Sequence, residues 1–296
     1  MAFDYLKYRV FVKKMDKKRN AQIPEPSGVI AWRNKRYARG WGKWRKLDVF
    51  RPSSVSGSLP LVVVVHGGGW IYGDKEIYHL YAKDLARRGF AVISFNYVRA
   101  PEKKFPDQLE SIDKVLLWAK DHAAEYSFDL HHVFLVGDSA GAQLSVQYAI
   151  ALTNPDYGKL FKMSYPLPLT GLGLNCGVYG DLGHGLKEEE MLWKYYLKKK
   201  MDGDPRRILL KNLTPSFPPC YVLTAEKDFV KECNQPFLAV LDEKKIPYVF
   251  KEYTSKEGNK LQHVFHVTIN EEHAILANDE ECAYLKKLMK SPARNA

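Results

Sequence analysis

A serine between two glycines is the residue best suited to covalent chemistry in this sequence. Residues 137–141 read Gly-Asp-Ser-Ala-Gly, directly after an apolar run at 132–136 and directly before a helical pattern. A serine on such a sharp strand-to-helix turn is held in a strained conformation, and the two glycines leave room where strand and helix nearly touch. The N–H groups and dipole of the following helix stabilise negative charge beside the side chain. The pattern predicts that Ser139 is a nucleophile.

Three consecutive glycines supply the backbone donors that such a nucleophile requires. The sequence His-Gly-Gly-Gly-Trp occupies residues 66–70, at the end of the apolar run 61–65. Together with the N–H of the residue after the nucleophile, a loop of this kind forms an oxyanion hole. One such donor contributes roughly 2.7–4 kcal/mol of transition-state stabilisation. We therefore expect Ala140 and the glycine loop to bind a developing negative charge; a flexible turn without that role is the alternative.

The nucleophile also needs a base and a carboxylate that orients the base, because a free hydroxyl is too weak an acid to attack an ester near neutral pH. The expected order along the chain is serine, acid, histidine. Asp228 ends a strand-like run that starts at Cys220, so its carboxylate would lie at the same sheet edge as Ser139. Glu226 is the alternative acid. We predict Asp228 because it lies further into the loop.

The candidate base is one of three histidines that follow Asp228. His263 lies in the loop between the last predicted strand and the last predicted helix, where the third member of such a triad occurs. His266 is three residues further along and is an alternative. His273 falls inside the predicted final helix and would point away from the site. The order of residues therefore favours His263 and leaves His266 open.

Taken together, these motifs resemble the α/β-hydrolase superfamily, and specifically the hormone-sensitive-lipase-like carboxylesterases. The resemblance covers about residues 44–296 and includes both glycine motifs. Residues 97–102, Tyr-Val-Arg-Ala-Pro-Glu, are similar to a Tyr-Arg-Leu-Ala-Pro-Glu stretch that braces the oxyanion loop in that family. Residues 263–265, His-Val-Phe, resemble the His-Gly-Phe around the family's catalytic histidine.

The resemblance implies a fold and an activity. It implies a mostly parallel central sheet flanked by helices, and hydrolysis of short- to medium-chain acyl esters through an acyl-enzyme intermediate, with no cofactor and no metal. It assigns the oxyanion donors to the amides of Gly68 and Gly69 beside Ala140. It also favours His263 over His266 as the base, with Ser139 as the nucleophile.

Two positions depart from the family's pattern. Val264 stands where the family usually has glycine, and Asp-Phe-Val-Lys-Glu at 228–232 replaces the common Asp-Pro-Leu-Arg-Asp. The loops that carry the acid and the base are therefore the parts of the site whose shape the resemblance predicts least.

The elements that must position these residues alternate between strands and helices. Such alternation predicts repeated βα units around a mostly parallel sheet in a single domain covering residues 1–296. We expect strands at 46–51, 61–65, 90–96, 133–136, 172–176, 220–224 and 248–253. We expect helices at 77–88, 108–124, 140–152, 231–244 and 270–289. Residues 1–43 and an insertion at 154–218, with a helical piece at 187–201, are predicted to form a cap over the carboxyl edge of the sheet.

Composition limits the class of protein. The chain has 296 residues, 46% hydrophobic and 27% charged, with a net charge of +11, which is typical of a globular protein with a large core. It has no apolar stretch near the roughly 18 residues of a membrane helix and no apolar block of a secretion signal, so we expect a cytoplasmic protein. Four widely spaced cysteines favour reduced thiols over a zinc site or disulfides.

The basic, aromatic N-terminal segment allows other partners. Cations and aromatic rings interleave in residues 13–44, a pattern that can serve nucleic-acid or anionic-membrane binding. A solvated cap whose aromatic residues pack over the cleft is favoured because no nucleic-acid-binding motif accompanies the charge. Lys198, Lys199 and Lys200 follow aromatic residues in the insertion, which leaves an interfacial lipase role as an alternative.

Two further functions are compatible with the motifs. One is an amidohydrolase of the arylformamide type that uses the same triad. The other is a catalytically inactive receptor for a small molecule, which the histidine at position 263 disfavours. A small-molecule ester is the expected partner, and a homodimer is compatible with the sequence.

Overall fold

Strands and helices alternate along the chain from residue 46 onward, as the sequence predicts. In the computed structural model, residues 4–183, 187–198, 201–255 and 260–290 are described. Within them the strands are β1 Val29–Arg36, β2 Lys46–Pro52, β3 Leu59–Val65, β4 Ala91–Phe95, β5 Phe128–Asp138, β6 Gly171–Asn175, β7 Cys220–Ala225 and β8 Tyr248–Tyr253. The helices are α1 Tyr5–Asn20, α2 His79–Arg87, α3 Asp107–Asp121, α4 Ala123–Tyr126, α5 Ala140–Thr153, α6 Pro155–Gly158, α7 Lys187–Tyr196, α8 Asn234–Glu243 and α9 Glu272–Leu288.

The strands form one sheet in the order β1-β2-β4-β3-β5-β6-β7-β8. The first two pairings in this order are antiparallel, and the remaining five are parallel. Parallel strands bring their carboxyl ends to one edge, where ligands bind in open α/β sheets. The loops after β3, β5, β7 and β8, which carry the predicted site residues, therefore meet at that edge. The predicted fold class is confirmed.

Apolar side chains cover both faces of the sheet. Alternate residues of β3 belong to two different clusters, with Leu61, Val63 and Val65 in one and Val62 and Val64 in the other. All five are at most 1% exposed. Such two-sided burial explains why β3 reads as a continuous apolar run, as expected when helices cover both faces of a parallel sheet. This burial fixes the end of β3, from which the glycine loop departs.

Of the strands in the described residues, β1 is the one that the sequence pattern did not predict. It pairs antiparallel with β2 at the edge of the sheet, and most of its residues are exposed or half-buried. Charged side chains such as Arg33 and Lys35 interrupt its apolar pattern. Charges on an edge strand protect it from pairing with other chains. The same charges interrupt the alternation of apolar and polar residues, so the pattern does not predict a strand here.

The segments predicted to form a cap have different structures. In residues 1–43, helix α1 occupies 5–20, whereas 29–36 belong to the sheet. In the insertion, the predicted helix at 187–201 is helical only over Lys187–Tyr196, and Lys199 and Lys200 lie outside the described residues.

Among the described residues, no helix combines the length and the apolar character needed to cross a membrane. All four cysteines are free thiols.

Candidate active site

Ser139 lies at the junction between β5 and α5 in a conformation that few serines adopt. Its φ and ψ are 51° and −121°. Its N–H donates a hydrogen bond of 2.9 Å to the carbonyl of Asn175 on β6, which holds the bend against the neighbouring strand. A Cβ atom on Gly141 would lie 1.9 Å from the carbonyl oxygen of Val65, so only glycine fits where α5 crosses β3. The predicted strand-to-helix turn is therefore present, and the half-buried Ser139 side chain lines a pocket.

The glycine loop after β3 borders the same pocket. Gly68 has φ +106°, and a Cβ atom there would lie 2.6 Å from the carbonyl oxygen of Tyr72, so the turn requires glycine. Gly68 and Gly69 line the pocket together with Ser139 and Ala140. The structure thus brings the predicted oxyanion donors and the predicted nucleophile to one cavity.

The stretch at 97–102 braces this loop, as the resemblance implied. The Tyr97 hydroxyl donates to the carbonyl of His66 at 3.1 Å, and the two rings stack with centroids 4.0 Å apart. The N–H of Ala100 donates to the carbonyl of Trp70 at 2.9 Å. Burial lowers the pKa of His66 to about 4, so its ring is neutral near pH 7 and structural in this position.

Asp228 and His263 form a hydrogen-bonded pair after β7 and β8. The His263 Nδ1 and the Asp228 Oδ1 are 2.7 Å apart. Asp228 also accepts a bond of 2.8 Å from the Thr224 hydroxyl and one of 3.1 Å from the N–H of Val230. Burial raises the pKa of Asp228, but the bond from His263 and the other donors outweigh it and leave the pKa below its usual value. Asp228 is therefore a carboxylate that fixes the orientation of the imidazole near pH 7.

The alternative acid and base lie elsewhere. Glu226 accepts bonds from the N–H groups of Ser255 and Leu261, at 3.0 and 3.3 Å, and so anchors the loop that precedes His263. His266 is fully buried, and burial lowers its pKa to about 3. The pocket is lined by His263 and not by His266.

Val264 follows His263 in a backbone conformation that glycine adopts more readily than valine. Its φ is 55°, in the left-handed region that favours glycine. Here a valine adopts that conformation, which is strained for a β-branched residue. The loop after His263 therefore holds a valine in a conformation that glycine would adopt without strain.

The pocket itself has a volume of about 160 Å³. Besides Ser139, His263 and the glycine loop, its lining includes residues from α1, from α7 and from the loop after β7. These are Tyr8, Val12, Asp16, Arg19, Leu192, Phe229 and Val230. The Tyr72 hydroxyl donates to Asp16 at 2.8 Å, and Asp16 pairs with Arg19 at 2.7 Å, so the charges on α1 are mutually compensated at the pocket wall.

A sequence model of the α/β-hydrolase fold family matches residues 62–267, which is more than half of the chain. This chain belongs to the α/β-hydrolase fold family. Among curated relatives, this chain is 25% identical over 212 residues to a putative α/β hydrolase of Acanthamoeba polyphaga mimivirus, with 67% of this chain and 60% of the relative covered. It is 30% identical over 198 residues to an acetyl esterase of Salmonella choleraesuis (strain SC-B67), with 64% and 61% covered. The match thus spans about three-fifths of each relative's length.

Solved structures agree with this chain over nearly its whole length. Esterase B of Lactobacillus rhamnosis superposes with a TM-score of 0.87 and 27% identity, covering 97% of this chain and 94% of the other. A hyperthermophilic esterase of Pyrobaculum calidifontis has a TM-score of 0.77 and 23% identity over 98% of this chain and 95% of its own; that likeness shows the fold alone. The predicted family is confirmed.

No pattern in the sequence predicts the residues that hold α1 on the rest of the chain. The Arg9 guanidinium donates to the carbonyls of Ile71 and Ala100, at 2.6 and 2.7 Å, and pairs with Glu102 at 2.6 Å. These partners are 62 to 93 residues away along the chain. Arg9 therefore ties α1 both to the segment after the glycine loop and to the stretch that braces it.

A tyrosine also links the turn at Ser139 to the glycine loop. The Tyr78 hydroxyl donates to the Asp138 carboxylate at 2.7 Å and accepts from the N–H of Gly67 at 3.1 Å. Burial raises the pKa of Asp138 to about 6, although the bond from Tyr78 and the charge of His263 act in the opposite direction. An acid of unusually high pKa therefore lies beside Ser139.

Cys176 completes a group of three side chains at this end of the sheet. Ligand atoms of Cys176, Asp228 and His263 all lie within 4.8 Å of one another. Burial, reinforced by the Asp228 charge, raises the pKa of the Cys176 thiol well above its usual value. Because metals bind the thiolate form, the chemistry of this group favours a protonated thiol beside the carboxylate over a metal ligand.

Proposed function

We propose that this chain is a carboxylic-ester hydrolase in which Ser139 is the nucleophile. The observation that carries the proposal is the 2.7 Å bond between Asp228 and His263, because it places an oriented imidazole in the pocket that Ser139 and the glycine loop also line. Oriented imidazole, serine hydroxyl and backbone donors are the groups that acyl transfer requires. The esterase names of the similar proteins support this reading.

In the proposed mechanism, His263 accepts the Ser139 proton as the hydroxyl attacks the ester carbonyl carbon. The amides of Gly68, Gly69 and Ala140 stabilise the oxyanion of the tetrahedral intermediate. The imidazolium, stabilised by the Asp228 carboxylate, then gives its proton to the leaving alcohol and an acyl-serine forms. Water deprotonated by His263 attacks the acyl-serine in the same manner, which releases the acid and restores the serine.

Short acyl chains fit the pocket best. Its volume of about 160 Å³ is below the roughly 300–1,000 Å³ of pockets for drug-sized ligands. Among the similar proteins are an acetyl esterase and an esterase crystallised with a tributyrin phosphonate inhibitor. We propose short-chain esters as substrates, with α1 and α7 as the cap that limits the size of the acyl or alcohol group.

The test compares the wild type with Ser139→Ala on p-nitrophenyl acetate and butyrate. We expect kcat/KM to fall by roughly 10⁴- to 10⁶-fold. Ser54→Ala is the matched control, because Ser54 is exposed in the turn after β2 and away from the pocket lining. Equal rates for wild type and Ser139→Ala would remove the serine from the chemistry.

A fluorophosphonate probe and a second substrate panel separate the alternatives. Covalent labelling of the wild type and of Ser54→Ala, without labelling of Ser139→Ala, is expected for an active serine hydrolase. A protein that binds esters but takes up no probe would instead be a receptor. Faster turnover of aryl formamides than of esters would replace the proposed substrate class while keeping the same three side chains.

A further inference from the structure

Helix α1 exposes an unusual number of apolar side chains. Leu6, Val10, Phe11 and Met15 are 55%, 71%, 63% and 56% exposed. On a helix, residues three and four apart share a side, so these four flank the surface that points away from the body of the protein. Apolar residues of this size in one helix are more than the scattered single exposures of an ordinary surface.

Lysines fill the space between these apolar side chains. All five lysines of α1 are exposed, namely Lys7, Lys13, Lys14, Lys17 and Lys18. Among the ion pairs of the described residues, only Lys7 of these five has an acidic partner, Asp4 at 4.0 Å. The outer face of α1, defined by these five lysines and the four apolar residues, therefore combines uncompensated positive charge with exposed apolar area.

The other side of α1 is fully engaged, which fixes the direction of the outer face. Arg9 binds the segment after the glycine loop, and Asp16 binds Tyr72 and Arg19. Tyr8 and Val12 line the pocket. The helix is thus held at the pocket wall with its outer face turned toward solvent.

We propose that the outer face of α1 docks on an anionic lipid surface. Helices that lie in a membrane interface insert apolar side chains among the headgroups while lysines contact the anionic lipids. Lysine stems are apolar and reach outward with the charged end, so lysines between apolar residues suit this depth. Each lysine near an anionic surface adds favourable binding energy. The proposal is independent of the ester hydrolysis proposed above.

Two other partners fit this face less well. A second copy of the chain, related by a two-fold axis, would bring five lysines against five lysines. Nucleic acid would pair with the lysines, but only Phe11 of the four apolar side chains offers a ring on which a base can stack, and Leu6, Val10 and Met15 would stay exposed to water. An anionic bilayer satisfies both the charges and the apolar side chains.

Helix α1 also forms a wall of the pocket. Phe229, which lines the pocket and contacts the His263 ring at 4.4 Å between centroids, is itself 56% exposed. Phe229 therefore adds one exposed aromatic side chain at the pocket, which α1 also lines.

The test measures co-sedimentation of the full chain with vesicles of phosphatidylcholine alone or of equimolar phosphatidylcholine and phosphatidylserine. We expect the wild type to bind the anionic vesicles only. The triple variant Lys14→Gln, Lys17→Gln, Lys18→Gln is expected to bind them roughly 100-fold more weakly. The double variant Val10→Ser, Phe11→Ser is expected to lose roughly tenfold or more.

The matched control removes the same charge elsewhere. Lys120, Lys211 and Lys287 are exposed and lie outside α1, so replacing all three by glutamine should leave vesicle binding unchanged. The far-ultraviolet circular dichroism spectrum should be the same in the wild type and all three variants, which shows that they fold and keeps this test separate from that of Ser139. Equal loss of binding in the control, or no loss in the α1 variants, would overturn the proposal. Self-association through α1 without vesicle binding, or binding to duplex DNA that survives the Val10 and Phe11 substitutions while vesicle binding is absent, would also overturn it.

Discussion

Replacing Asp138 by asparagine tests whether the buried carboxylate next to Ser139 destabilises the folded protein. Asp138 is 2% exposed, and burial raises its pKa from 3.8 to about 6. An acid whose pKa is higher in the folded protein holds its proton more tightly there than in the unfolded chain. The stability of the wild type therefore falls as the pH rises from about 4 through 6, because ionisation costs more in the folded state.

The magnitude follows from the two pKa values. The difference between 3.8 and about 6 corresponds to about 3 kcal/mol, of which about 2 kcal/mol falls between pH 4.5 and 7.5. Asparagine keeps the acceptor for Tyr78 but carries no charge. Burial chiefly, and the Asp138 charge to a smaller extent, also raise the pKa of Glu281 to about 7, so the substitution lowers that pKa and acts in the same direction.

The assay is urea unfolding at several pH values between 4.5 and 7.5. We expect Asp138→Asn to gain about 2 kcal/mol of stability relative to the wild type across this range. Asp121→Asn, which removes one exposed carboxylate at the end of α3, is the matched control and should show a much smaller change. A difference between Asp138→Asn and wild type that does not vary with pH would refute the argument that burial governs Asp138.

Three further substitutions test the site. His263→Gln should lower kcat/KM on p-nitrophenyl acetate by roughly 10⁴-fold or more, whereas His266→Gln should keep the same order of magnitude; the reverse result would exchange their proposed roles. Gly141→Ala should lower Tm by roughly 6–12 °C, because its Cβ would overlap a carbonyl of β3, while Gly57→Ala, which has open space, should not; equal melting temperatures would refute the overlap. Leu192→Ala should shift the preferred ester from acetyl toward octanoyl by enlarging the pocket, and an unchanged chain-length profile would place Leu192 away from the acyl group.

The central part of the fold could be predicted because its signals are local. Each buried parallel strand is a short apolar run, and both glycine motifs follow such runs directly. Ser139, Asp228 and His263 follow three parallel strands, and parallel strands end at one edge of the sheet. The topology therefore brings these three residues to the same edge. His266 was left open by the order of residues, and three-dimensional burial separates it from His263.

The surroundings of the site could not be predicted in the same way. Strand β1 carries charges that break its alternation, and its position depends on pairing with β2. Arg9, Tyr78 and Asp16 form hydrogen bonds with residues that are distant in sequence, so no local spacing of residues predicts these contacts. The left-handed backbone conformation of Val264 likewise could not be predicted from the valine itself. The only indication was that the family usually has glycine at this position.

The attachment of α1 through Arg9 couples two properties that are usually adjusted separately. One guanidinium binds the backbone beside the glycine loop and the carboxylate of Glu102, while the neighbouring Tyr8 and Val12 form a wall of the cavity. Movement of α1 away from the pocket to admit a bulkier molecule would break these bonds and release the loop whose amides are the proposed oxyanion donors. A wider entrance requires α1 to move, whereas a fixed glycine loop requires α1 to stay in place. Under the proposed mechanism, a variant that admits bulkier substrates would therefore have a lower turnover rate.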